Sequence, residues 1–199
     1  YQILNLPKSY EETKTIYLTA CLLKFYQQLD IYEEKSQVLQ PFNIEKPLWV
    51  FVGSTVTGGK LGKDEQIVAT DVAQIISFIA DFLSSKENAC RRMKEILLGK
   101  GQDTGLLSNG VDIFEGSFTW LAKAINTGLS YEELYKKILR KLFNTESGGH
   151  LSLVPVKGES GEIALRVGTS ETPFGLINVG DAKALADHIE NVVKQNGLV

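Results

Sequence analysis

Cysteine, histidine and methionine are scarce in this chain: two, two and one among 199 residues. Cys21 and Cys90 lie far apart within helix-like patterns, which argues for two reduced, buried thiols and against a disulfide framework or a zinc site. With only His150 and His188 to add, a metal centre built on soft or imidazole ligands is not expected. No apolar run reaches the roughly 18 to 20 residues of a membrane span, and no basic, then apolar leader opens the chain. A cytoplasmic protein without membrane contact is therefore expected. The chain opens on Tyr1 and its one methionine is Met93, so it reads as a piece of a longer polypeptide.

What is present is an ordinary globular composition, 43% hydrophobic and 23% charged with a net charge of −3, enough to build a core. The spacing of Ile16, Ala20, Leu22, Leu23 and Leu29 predicts a first helix, started by an S-x-x-E capping box at Ser9–Glu12 and ending near Lys35. Pro41 and Pro47 punctuate a polar stretch that leads to LWVFV at 48–52, whose unbroken apolar character suits a strand buried on both faces of a parallel sheet. A helix from about Thr70 carries Val72, Ile75, Ile76, Ile79, Phe82 and Leu83 on one stripe. Strand and helix together read as one β-α step.

From about Ser84 to Asn144 shorter helices are expected, broken by GKGQDTGLLSNG at 99–110, with a second capping box at Ser130–Glu133. LSLVPV (151–156) and EIALRV (162–167) then read as a β-hairpin whose first arm is placed at an edge by Pro155. An apolar strand at 174–179, an Asp181 N-cap and a helix with Leu185, Ala186, Ile189, Val192 and Val193 inward make a second β-α step. The fold expected is α/β: a parallel sheet, interrupted by a mainly helical insertion and a β-hairpin. Its parts are 1–84, the N-terminal helix and first strand-helix step; 85–172, the insertion; and 173–199, the second step.

The glycine loop behind the first strand, GSTVTGGKLGK, tests for nucleotide chemistry. A P-loop needs G-x-x-x-x-G-K-[ST] running straight into a helix, so that backbone N–H groups and the lysine converge on one phosphate chain. Gly53 and Gly58 are correctly separated, but Gly59 stands where the lysine belongs and Leu61, not Ser or Thr, follows Lys60. The register fails, so no ATP site is expected here. Gly180–Asp181 lacks the G-x-G-x-x-G of a dinucleotide fold and reads as strand end plus cap. Glu162, Asp181 and Lys183 form a short nuclease-like constellation, but a cap and a solvated lysine explain the last two more simply. No G-x-S-x-G elbow accompanies either histidine. Two cationic clusters remain, Arg91–Arg92–Lys94 and Lys136–Lys137–Arg140–Lys141, each on a predicted helix. Most such clusters are solvated faces, yet these are the positions best suited to neutralising DNA phosphates.

Taken together, KPLWVFVGSTV, GEIALRVG and PFGLINVGDA resemble segments of the helicase-like (Res) subunit of type III restriction enzymes and related DEAD/DEAH-box helicase proteins. The resemblance is strongest at 46–56 and 161–182 and weakest through 57–145. It implies most of a second RecA-like motor domain, with ATP and Mg belonging to the parent protein and no cofactor held by this piece. It further implies DNA as partner, the remaining motor domain of the same chain, and a methyltransferase (modification) subunit of the parent. By that resemblance Gly53, Ser54 and Thr55 would touch DNA phosphate; Arg91, Arg92, Lys136, Lys137 and Arg140 are the candidates that the charge clusters add. The alternative is a protein-interaction module without nucleic-acid contact.

Overall fold

The computed structural model describes residues 11–52, 71–98, 106–108, 110–158 and 161–178. They form five helices, α1 (Glu11–Leu39), α2 (Asp71–Ser84), α3 (Lys86–Leu98), α4 (Thr119–Asn126) and α5 (Tyr131–Phe143). Five strands accompany them, β1 (Leu107–Ser108), β2 (Val111–Asp112), β3 (Leu151–Pro155), β4 (Glu162–Val167) and β5 (Gly175–Asn178). The described chain divides into two compact units, with boundaries after Trp49, after Ser85 and inside α5 after Ile138.

The first unit is mainly helical, with the short β1–β2 pair beside its helices in the chain. The α1 residues Ile16, Ala20, Leu22, Leu23, Tyr26 and Leu29 are all buried, at the helical spacing that the sequence shows. α1 packs on α3, and α3 on α4. Buried Gln27 bridges the start of α4: its amide nitrogen donates to the Ser117 carbonyl at 2.9 Å and its oxygen accepts the Leu121 N–H at 3.3 Å. That N–H belongs to the first turn of α4, where no helical partner exists, and Phe118 offers no side-chain cap of its own. Trp120 donates to Asp30 at 2.8 Å beside it. α4 closes on Gly128 at φ +111°, with Gly128 N–H donating to Ile125 and Leu129 N–H to Ala124, a Schellman end that a β-carbon would strain. α5 then starts at the expected capping box: Glu133 N–H donates to Ser130 Oγ, and Ser130 N–H returns to the Glu133 carboxylate at 3.0 Å.

In the second unit α2 lies against a three-stranded antiparallel sheet ordered β3–β4–β5. Ala73 and Ile76 meet Ile163 in its core, flanked by Val72, Leu151, Leu153 and Ile177. Phe78, Phe82, Phe143 and Phe174 form a ring-to-ring series with centroids 6.3, 6.0 and 5.0 Å apart, within the range of favourable aromatic pairing. β4 is central, with Ile163, Ala164, Leu165 and Val167 buried, and β3 with Pro155 is an edge, as expected.

Three expectations are corrected. α1 continues to Leu39, past Lys35, until Pro41 enters a 3-10 turn at Gln40–Phe42 and Asn43 takes a left-handed conformation at φ +51°. Nothing before Pro41 forbids helix there. Residues 48–52 form no strand; the run is irregular, with Leu48, Val50, Phe51 and Val52 exposed at 82, 63, 43 and 91%. β5 is a strand where one was expected, but instead of lying parallel to 48–52 it pairs antiparallel with the hairpin strand β4, in register Glu162↔Asn178 through Leu165↔Gly175. The connection at 168–174 is too short for a parallel crossover, which takes about a dozen residues or more. The described residues are thus mixed helix and strand, and the sheets among them are antiparallel.

Candidate nucleic-acid interface

The cations of α5 sit where its amphipathicity puts them. Leu134, Tyr135, Ile138, Leu139 and Phe143 are buried along one side, leaving Lys136, Lys137 and Arg140 exposed on the other with Glu133 at helical neighbour spacing. The Ser130 backbone N–H, then its hydroxyl, hold the Glu133 carboxyl below the usual range, and the positive charge of Lys137 and Lys136 adds to the effect. Arg140 Nε donates to Glu146 Oε2 at 2.5 Å. This ion pair is not apparent from the sequence, because Glu146 lies beyond the helix end and is brought back by the turn at Asn144, φ +52°.

The second cluster is divided. Arg91 is exposed and pairs with Glu95 at 2.8 Å one turn along α3, and Lys94 is also exposed. Arg92, only 6% exposed, lies with Ala89, Met93 and Ile96 on the buried side of α3, so it presents no charge to a phosphate at the surface. The helical period already contains that result: 89, 92, 93 and 96 share a face. Gly53, Ser54 and Thr55 lie outside the described residues, as do Lys60, Asp181, Lys183 and His188.

Other chemistry is sparsely furnished. Among the described residues no group of three His, Cys, Asp or Glu side chains could hold a metal ion, and no helix is long and apolar enough to cross a membrane. His150 is exposed, and Glu162 accepts a 3.4 Å hydrogen bond from Asn178 across β4 and β5. Burial pushes the thiols of Cys21 and Cys90 up, toward the protonated and unreactive form. The feature that sequence reasoning did not anticipate is an exposed apolar stretch, in which Val38, Phe42 and Ile44 precede the exposed run at 48–52.

No protein-family model, curated protein or solved structure matches this chain.

Proposed function

We propose that this chain is a non-catalytic part of an ATP-dependent DNA translocase like the helicase subunit of type III restriction enzymes, one that contacts DNA backbone and does not hydrolyse ATP alone. The observation that carries the proposal is the exposed run Leu48–Val52: its composition is that of a strand buried on both faces, yet it offers four large apolar side chains to solvent. In this reading the run joins the parallel sheet of a second RecA-like lobe, whose further strands are supplied by the rest of a longer polypeptide, and the remaining motor domain is the other lobe. Gly53, Ser54 and Thr55 then follow the strand end, where backbone N–H and hydroxyl groups can reach a phosphate. ATP and Mg are held by the parent protein, and lobe closure on ATP would move these contacts along one strand. The resemblance of KPLWVFVGSTV, GEIALRVG and PFGLINVGDA supports the same reading.

DNA titration at several salt concentrations tests the proposal. Binding should weaken as salt rises, and Lys136→Gln with Lys137→Gln should flatten the dependence of log K on log salt by about 1.8, since each lost phosphate contact removes about 0.9. The purified chain should show no ATP turnover; robust hydrolysis abolished by changing Lys60 would overturn the proposal. The exposed Val38, Phe42 and Ile44 favour a second reading, an interaction module that docks a protein such as a methyltransferase subunit. No DNA binding at low salt would leave that reading ahead.

A further inference from the structure

We infer that Glu146 is a built-in competitor for DNA phosphate, masking Arg140 until the nucleic acid displaces it; this rests on the DNA-contacting reading above. The segment that carries Glu146 is fastened rather than loose. Asn144 turns the chain at φ +52°, and Thr145 N–H donates to the Leu139 carbonyl at 3.2 Å, closing the end of α5. Thr145 Oγ1 also donates to the Ser147 carbonyl at 2.8 Å, forming a local turn around Glu146. On the other side Asn144 Nδ2 donates to the Pro173 carbonyl at 3.0 Å, and Ser170 Oγ to the Asn144 carbonyl at 3.3 Å. The backbone therefore delivers the carboxylate to Arg140, where its oxygen takes the place a phosphate oxygen would occupy.

The contact is suited to exchange. Its side chains are 58 and 76% exposed, so solvent and salt screen the attraction and the carboxylate can leave at little cost. A phosphate offers the same guanidinium geometry and also releases a condensed counterion from DNA, which a carboxylate on the protein does not. Arg91 has a similar partner in Glu95, but that pair lies within one helix and needs no turn to assemble it.

Fluorescence anisotropy with a DNA oligonucleotide measures the effect. Glu146→Gln should tighten binding about 2- to 5-fold at low salt and leave the slope of log K on log salt nearly unchanged, because Arg140 contacts phosphate in both complexes. Arg140→Gln with Glu146→Gln should lose that gain. Glu45→Gln, which removes an equal charge elsewhere, should give a smaller gain with no dependence on Arg140. Unchanged binding in Glu146→Gln, while Lys136→Gln with Lys137→Gln still weakens it, overturns the inference alone. A gain that survives loss of Arg140 also overturns it, as a net-charge effect. Absence of DNA binding in every variant removes the DNA-contacting reading and the inference with it.

Discussion

Two short apolar runs meet opposite fates in this molecule. EIALRV becomes β4, the buried centre of a sheet, whereas LWVFV at 48–52 is irregular, with every residue but Trp49 exposed. Hydropathy does not separate them, since LWVFV is the more apolar. The difference lies in the availability of partners. β4 follows β3 through a short turn and precedes β5 through another, so both neighbours arrive at a small loop-closure cost. The run at 48–52 has no strand beside it among the described residues, so no ladder gathers its side chains into a sheet. An apolar run thus states a preference for burial; partners within reach decide whether it is met.

The largest effect that bears on this contrast is in the core. Ile163→Ala should lose roughly 2 to 5 kcal/mol, because a buried side chain packed between α2 and the sheet leaves a cavity. Leu48→Ala should stay within about 0.5 kcal/mol in this chain. Urea unfolding of the two variants measures both, and similar losses would erase the contrast. In a longer protein that supplies the sheet, Leu48→Ala should acquire a core-like cost, which sharpens it.

A smaller effect belongs to an element whose partner lies three residues away. Ser130→Ala removes one half of the capping box and should cost about 1 kcal/mol, with Ser130→Gly milder, as read by the same unfolding curves. The smallest is confined to alkaline solution. Burial, then the nearby Cys90, pushes the Tyr135 hydroxyl up to about 12. The folded state keeps that phenol neutral while the unfolded state ionises it at its ordinary value of about 10. The contribution is therefore full below pH 10 and lost as pH rises through 12, and Tyr135→Phe should remove it. An absorbance titration in which every tyrosine ionises together near pH 10 would contradict the burial of Tyr135.

Much of the local structure was legible. The α5 box, the α2 stripe through Ile76, Ile79, Phe82 and Leu83, and Pro155 on an edge strand all follow from short-range rules and are found. The antiparallel pairing of β5 with β4 was legible too, in the short connection at 168–174, but the apolar character of 174–179 invited a parallel pairing with 48–52 instead. The candidate interface was legible in part. Lys136, Lys137 and Arg140 lie on the exposed side of α5, while Arg92 follows the helical period inward. The Arg140–Glu146 pair was not legible, because a left-handed turn at Asn144 is needed to bring the carboxylate back.

The sequence by itself determined where α5 begins, that α1 cannot pass Pro41, and which sides of the helices are apolar, because capping, proline geometry and the 3.6-residue period act within a few neighbours. Only the tertiary structure decided that Gln27 caps α4, that Glu146 returns to Arg140, and that Leu48, Val50, Phe51 and Val52 stay exposed. Those outcomes depend on which distant backbone groups can meet at an acceptable entropy cost, a quantity that no local stretch of residues contains.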